Sequence, residues 1–543
     1  MNMKNRSSKT VIKQVLGEIP LTAELYWQIR QQGKPLSKSF SLQVTKKHLP
    51  GWVATAIAKR KDATAPAGRK IFMFATLRYW IEHSVLLGLA LAGQGHQVTL
   101  AYLPVNNWRV RMNRFDLRRQ NAYARNVLRP AEKLIKPISI LDIKNSNQAL
   151  LSGLADAVNE VCIRDVQYTL QAEDVNPDTD LFWLRRDRNT QAALAALTLL
   201  QANRPDVVIM PNGTILEMGA IYQVARYLDI PTVTYEFGEQ RSRIWLASND
   251  QVMLQHTKEL WEVYRDQPLS ESQSDQIRAL YASRQNASLW ENFSRRWQGL
   301  PSQGGGQARK ALGLDERPVA LLAANVIGDS LTLGRQVFSR DMTEWLQRTL
   351  RNFAQRPEVQ LVIRVHPGER YTKGPSVADV VGQVIHGLHD GSGPQNIHVV
   401  AAGDPINTYD LLEIADLGLV YTTTVGMEMA MSGVPTIVAG QTHYRGKGFT
   451  LDPENWEDYF ELLNQVLHDP QGARLARPQV DLAWQYAYRF FFDYPLPFPW
   501  HMLYFNDELS EWSLDKVLSP DGQALFGEAF RALAGYPRQW SDP

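Results

Sequence analysis

The stretch from Leu411 to Gly440, LLEIADLGLVYTTTVGMEMAMSGVPTIVAG, constrains the fold more than any other part of the chain. LGLVY is a short apolar run bounded by turn signals, and TIVAG is a second one directly after Pro435. Between them come Thr422, Thr423, Thr424 and Gly426, then a helical stretch. Strand, hydroxyl-rich turn, helix, strand is the pattern of a parallel β–α–β unit, whose sheet is covered on both faces. In such open sheets ligands sit outside the carboxyl ends of the strands. The turn therefore offers three hydroxyls and a glycine where the N–H groups of a starting helix favour a phosphate. Glu428, one turn further in, is placed to take ribose hydroxyls. An ordinary β–α–β unit capped by threonine would read the same way, so the turn needs support from elsewhere.

QLVIRVHPGER (360–370) gives that support. It is an alternating strand that ends in His366-Pro367. Pro367 suits a turn or a first helical position, which leaves His366 at the strand's carboxyl end. Two strand tips in one sheet, both with phosphate-friendly chemistry, imply a site for a nucleotide monophosphate or diphosphate.

The 543 residues allow two sizeable domains plus extensions. A single cysteine, Cys162, excludes an intramolecular disulfide and a cysteine cage for zinc, and matches a reducing cytoplasm. With no long uncharged apolar run and no signal-peptide pattern, the chain is expected to be cytoplasmic, neither spanning a membrane nor secreted. Residues 1–70 carry a net charge of +11, against −9 for the remainder. This basic segment interleaves Trp27, Trp52 and leucines with its cations. It suits contact between residues 1–60 and an anionic surface at the inner face of the cytoplasmic membrane. No nucleic-acid module follows it, so nucleic acid is not an expected partner.

Along the chain, KIFMFAT, HQVTLAYLP, VVIMP and TVTYE read as strands of a first α/β domain, and apolar runs opening at 317, 360, 397, 417 and 435 as strands of a second. The glycine-rich PSQGGG marks a junction. The expected organisation is a basic helical arm over 1–68, an acceptor-side α/β domain over 69–300 and a linker over 301–316. A nucleotide-sugar domain over 317–480 and an aromatic-rich extension over 481–543 complete it.

NVIGDS, IRVHPGE, the threonine turn and HYRGKGFTLDP together resemble the capsule polysaccharide biosynthesis family of bacterial surface-glycan glycosyltransferases. That resemblance implies the GT-B architecture, two doubly wound Rossmann-like domains facing a cleft. It also implies a nucleotide-activated sugar as donor and a glycan or glycolipid as acceptor. In the related sialyl- and Kdo-transferases the His-Pro motif and a Ser/Thr pair contact the donor. Carried onto this chain, the donor site comprises Arg364, His366, Pro367, Thr422, Thr423, Thr424, Gly426 and Glu428. Glu428 lies seven residues before Pro435, as in retaining GT-B enzymes, but the second glutamate of that pattern is replaced by Val420, which favours inversion. Inversion needs a general base near the acceptor hydroxyl. The family's acid-acid-glycine motif reads Glu236-Phe237-Gly238 here, so the base is expected to be Glu236 or Glu239, with Glu82, His83 and Glu217 as substitutes.

No cofactor or metal site is expected. Asp178-Thr179-Asp180 matches the bare D-x-D pattern but reads as a solvated turn, and Arg364, Arg445 or Lys447 could meet the leaving charge. The resemblance also leaves room for a polyol-phosphate transferase or sugar-nucleotide epimerase on the same fold, or for a non-catalytic scaffold of polysaccharide assembly.

Overall fold

The computed structural model describes residues 8–62, 68–144, 149–288, 299–388, 394–538 and 540. The chain forms two compact units. One comprises Met1–Asp165, Asn176–Val252 and Leu496–Gln539, the other Val166–Val175, Met253–Pro495 and Trp540–Pro543.

The first unit opens with helices α1 (Ser8–Glu18), α2 (Thr22–Ile29) and α3 (Gln43–Asp62). Its sheet is built from β1 (Lys70–Thr76), β2 (Gln97–Leu103), β3 (Lys136–Ser139), β4 (Val207–Pro211), β5 (Thr232–Glu236) and β6 (Arg243–Ser248), in the order β6-β5-β4-β1-β2-β3. Only β6 runs antiparallel to its neighbour in this set. The chain builds outward from β1 through β2 to β3, then returns to the other side of β1 for β4 and β5. Phe72, Met73, Phe74, Val207, Val208 and Ile209 are all buried, as expected where helices cover both faces of a parallel sheet. The crossovers include α4 (Arg78–Gly93), α5 (Arg114–Leu128), α6 (Ser152–Leu170), α7 (Asp180–Ala202) and α8 (Leu216–Tyr227).

The N-terminal helices are docked on this body. α1 and α2 pack on α5, and α3 packs on α4. Lys13 pairs with Asp116 at 2.8 Å, and Arg118 with Glu24 at 2.6 Å. Trp27, Phe40, Leu49 and Trp52 are buried, so the segment's tryptophans belong to its core contacts.

In the second unit, β7 (Val319–Ala323), β8 (Gln360–Arg364), β9 (Ile397–Val400), β10 (Leu417–Val420) and β11 (Thr436–Val438) form an all-parallel sheet in the order β11-β10-β7-β8-β9. Trp345, Leu346, Leu350 and Phe353 of the helix Met342–Phe353 join Leu361, Ile363, Leu419 and Ile437 in its core. Asn407 and Asp341 cap helices of this unit through their side chains.

The expected linker over 301–316 lies inside the second unit. Its glycines let the backbone run beneath two carboxylates. The N–H groups of Gln303 and Gly304 donate to Asp410, and that of Gly305 to Glu413 at 2.6 Å. The helix Gly305–Leu312 follows at once. The expected extension over 481–543 is divided between the units. Tyr486 and Phe490 stack with His443 in the second. Leu496–Pro497 then returns to the first unit as β12, antiparallel to β6, followed by buried Phe498, Trp500 and Phe530. β3 and β6 are strands that the sequence pattern did not disclose.

Inside the first unit Arg185 donates from Nε to Asp165 at 2.6 Å and from Nη2 to Glu217 at 2.9 Å, with all three side chains at most 1% exposed. Burial works against the guanidinium charge, but the two carboxylates outweigh it and raise its pKa. Arg185→Ala should cost about 3–5 kcal/mol, because two buried carboxylates lose their partner. Replacing all three with apolar residues of similar size should recover most of that loss. Chemical denaturation of both variants checks it.

Candidate functional site

Register places the second unit's polar residues. Val420 lies opposite Ala323, and Ala323 opposite Arg364. Two residues beyond that line, at the carboxyl ends of three neighbouring strands, come Thr422, Asn325 and His366. Adjacent strands lie roughly 4.8 Å apart, so the outer two of these tips are separated by about 10 Å, a span suited to a phosphate group and its substituents. The chain builds from β7 towards β8 and β9, then reverses to β10 and β11. The crevice of an open sheet forms at such a reversal, here between Asn325 and Thr422.

These residues are held by specific bonds. The Thr422 N–H donates to Asn325 Oδ1 at 3.1 Å. The Thr422 hydroxyl is buried and meets no hydrogen-bond partner among the described residues. The Thr423 carbonyl accepts from the Tyr444 hydroxyl at 2.6 Å. Gly426 is needed for that contact, since a Cβ there would overlap the Tyr444 hydroxyl and a Val420 methyl. Thr424 precedes the helix Val425–Met431 and makes no side-chain capping bond. At seven residues this helix adds little dipole, so hydroxyls and side-chain amides carry the polar character of the turn.

His366 caps the short turn Pro367–Tyr371, its Nδ1 accepting from the Gly368 N–H at 3.0 Å. In the neutral ring that bond puts the proton on Nε2. Burial, aided by the nearby Arg364 charge, lowers its pKa to about 4. His366 is therefore a neutral N–H donor at physiological pH. Pro367 is buried and begins the turn.

Arg364, Glu428 and Arg445 hold internal partners. Arg364 donates from Nη1 to the Ala401 carbonyl at 2.7 Å and from Nε to Thr408 Oγ1 at 3.3 Å, and burial lowers its pKa to about 10. Glu428 Oε1 accepts from Arg284 Nη1 at 2.9 Å and from the Tyr409 hydroxyl at 3.1 Å. Arg445 donates to the carbonyls of Val438 and Pro453 and to Glu454. Lys447 is half-buried.

A parallel arrangement stands in the first unit. Met73 lies opposite Ile209 and Pro211 opposite Tyr235, so Thr76, Asn212 and Glu236 share one level at the carboxyl ends of β1, β4 and β5. Here too the strand order reverses, between β1 and β4. Asn212 adopts φ +57°, a left-handed conformation that asparagine tolerates. Its Nδ2 donates to Glu236 Oε2 at 3.3 Å, while the Phe237 N–H donates to Glu236 Oε1 at 3.0 Å. Glu236 is half-buried at the tip of β5, and Glu239 is half-buried in the turn that follows.

The three substitute bases lie deeper. His83 Nε2 meets the Trp500 carbonyl at 3.1 Å within a ring cluster that includes Tyr235, Phe237 and Phe498, and burial lowers its pKa to about 4. Glu217 belongs to the Arg185 triad. Glu82 is buried on α4, with Thr45 Oγ1 at 3.4 Å and Arg78 at 4.0 Å, and burial pushes its pKa up to about 7. Asp178-Thr179-Asp180 is a helix cap, with Thr179 Oγ1 accepting from the Phe182 N–H at 3.2 Å. The sequence reading missed Asn325 and Asn212. The available signal was a polar residue directly after an apolar strand run, in VALLAAN and VVIMPN.

No family model matches the chain. No curated protein matches it either. Among solved structures it is similar to Thermosulfurimonas dismutans KpsC, beta Kdo 2,4 transferase, at 17% identity over 52% of this chain and 78% of that one, with a TM-score of 0.31. The KpsC beta Kdo 2,7 transferase of the same organism gives 15% over 54% and 79%, with a TM-score of 0.30. The UDP-GlcNAc 2-epimerase from Neisseria meningitidis bound to UDP-GlcNAc gives 13% over 78% and 100%, with a TM-score of 0.25. Likeness this loose decides no chemistry, which has to come from the strand ends themselves.

The His366 assignment has a pH signature. The unfolded imidazole takes a proton near pH 6.5 and the folded one only near 4. Between those values the unfolded state binds more protons, so this residue's contribution to stability falls as the medium is acidified. Glu82 and Glu369, both pushed up to about 7 by burial, act in the opposite sense, losing stability as pH rises from about 4.5 to 7. The diagnostic quantity is therefore a difference. His366→Gln should lose less stability than wild type between pH 7 and pH 5, read from urea midpoints. Equal losses would show that His366 is charged when folded.

Proposed function

We propose that this protein is a glycosyltransferase that uses a nucleotide-activated sugar to build a bacterial capsule or other surface glycan. The observation that carries the reading is the row of Thr422, Asn325 and His366 at one level across three strand tips. It stands at the strand-order reversal and includes a buried Thr422 hydroxyl with no hydrogen-bond partner among the described residues. A buried hydroxyl left unsatisfied costs about 1–3 kcal/mol, and a donor phosphate oxygen would satisfy it. The motif resemblance at His366-Pro367 and the threonine turn supports the same assignment.

In this reading the nucleotide's phosphates lie over the tips of β7, β8 and β10. The His366 Nε2–H and the Thr422 hydroxyl donate to the phosphate oxygens. Thr423 and Thr424 extend that row of donors, and Gly426 keeps Tyr444 in place beneath it. Glu428 orders the turn through Arg284 and Tyr409, and its carboxylate faces the ribose. The acceptor hydroxyl gives its proton to Glu236, whose carboxylate is oriented by Asn212 and the Phe237 N–H. Glu239 is the second candidate for this role. The hydroxyl oxygen then bonds to the anomeric carbon as the carbon–phosphate-oxygen bond breaks, with inversion. The nucleotide leaves with the bonding electron pair, and donors already in place meet its developing charge.

Thr422→Val and His366→Ala should each weaken binding of the cognate nucleotide sugar about 10- to 150-fold, the worth of a hydrogen bond to a charged group, the first with little change in melting temperature and the second with a modest loss, because the Gly368 N–H loses its cap. Glu428→Ala should instead lower the melting temperature as well, because Arg284 and Tyr409 lose their acceptor. Calorimetric titration against CMP-, UDP- and GDP-linked sugars measures both. Unchanged affinity in the first two variants would remove the site.

Glu236→Gln should keep donor affinity and lose about 10²–10⁴-fold in turnover. Full activity in that variant moves the base to Glu239. Product analysis decides the reaction class. A new glycosidic bond supports the reading, whereas a phosphodiester or an isomerised sugar nucleotide replaces it. Nucleotide binding without turnover on any acceptor leaves a scaffold.

A further inference from the structure

Large apolar side chains exposed to solvent are unevenly distributed over this chain. Of eighteen among the described residues, seven fall within residues 12–29, namely Ile12, Val15, Ile19, Leu21, Leu25, Tyr26 and Ile29. They lie on α1, α2 and the turn between them; both helices pack on α5, and of the seven Tyr26 lays its ring against Phe115 and Arg119 there, which leaves six facing outward. Leu21, at the tip of that turn, is 66% exposed and adopts φ +66°, a conformation that a bulky side chain seldom takes. A monomeric surface rarely gathers so many apolar groups without a partner for them.

Charge indicates the partner. The two acids of this helix pair are drawn onto the body, Glu18 to Arg114 and Glu24 to Arg118. Arg30, directly after α2, and Lys34 and Lys38 further along are exposed. A second copy of the chain would set these cations against their own counterparts, an unfavourable pairing. We infer that α1, α2 and their turn dock on an anionic lipid bilayer, the apolar residues entering the interface and the cations meeting the headgroups. α3 does not share this role, because Leu49, Trp52, Val53 and Ala56 are buried against the body.

The test uses the full chain and vesicles of phosphatidylcholine with about 30% phosphatidylglycerol, beside pure phosphatidylcholine, at about 0.1 M salt. Wild type should co-sediment with the anionic vesicles and hardly with the neutral ones. Val15→Glu with Leu25→Glu should lower the partition coefficient at least about tenfold, and so should Arg30→Glu with Lys34→Glu. Leu525→Glu, an exposed apolar position elsewhere, should leave it unchanged. All three variants should keep the wild-type melting temperature and nucleotide affinity, so failure here is separable from failure of the transferase reading. Wild type that ignores anionic vesicles, or apolar variants that bind as well as wild type, would overturn the inference. So would a wild-type dimer that the apolar substitutions dissociate without changing vesicle binding.

Discussion

Parallel pairing is the constraint on which both units depend. Neighbouring parallel strands cannot be joined by a hairpin, so each connection crosses over the sheet and starts again at the amino end. Every loop able to carry chemistry therefore collects at the carboxyl ends. Where the strand order reverses, the two crossovers diverge and leave a crevice. Each sheet marks that reversal with an asparagine, Asn212 after β4 and Asn325 after β7. Each asparagine fixes the polar residue on the strand beside it, Glu236 in one sheet and Thr422 in the other. The two units repeat one device with different chemistry, a carboxylate in the first and a hydroxyl in the second.

Most of the nine strands that the sequence disclosed are apolar runs buried on both faces, so composition marks them; β9, at the sheet edge, is half-covered. β6 escaped because it is mixed, with Arg243 at its start and only Ile244 fully buried. β3 has four residues and is half-covered, too short to carry a period. The return of Leu496 to the first unit was hidden for a different reason. A run of aromatic residues says that a segment is buried but not against what, and here consecutive aromatics serve two cores. The candidate site was legible where polar residues sit at a strand tip, as at His366 and the threonine turn. Residues whose roles depend on distant partners were not legible. Nothing local distinguishes Glu217, in a buried triad with Arg185, from Glu236 on an accessible edge.

Electrostatics divides the polar residues along the same line. Arg364, Arg445 and Arg335 donate to backbone carbonyls, and Arg284 to Glu428. These cations stiffen the loops around the strand tips of the second unit. What stands at the tips themselves is neutral: an imidazole with its proton on Nε2, hydroxyls and a carboxamide. Neutral donors impose a smaller desolvation cost than buried charges, and they can be held without counter-ions. Under the proposed function, an anionic donor would meet oriented dipoles already in place, the arrangement that preorganised sites use for developing charge.

Phe237 links the fold to the candidate base Glu236 most directly. Its ring lies among Trp80, His83, Tyr235, Phe498 and His501. Phe498 and His501 come from the returning C-terminal segment. An acid at 237 would be buried among rings with little to pair with, a cost of several kcal/mol for the ionised form. The aromatic residue is therefore the one that lets residues 496–505 pack on the first sheet. The same ring fixes the backbone just past β5, and its own N–H donates to Glu236 Oε1. That N–H and Asn212 Nδ2 together fix the orientation of the Glu236 carboxylate. One residue thus does both jobs, its ring anchoring the returning C-terminal segment and its N–H orienting Glu236, so the added strand and the carboxylate's geometry are set together.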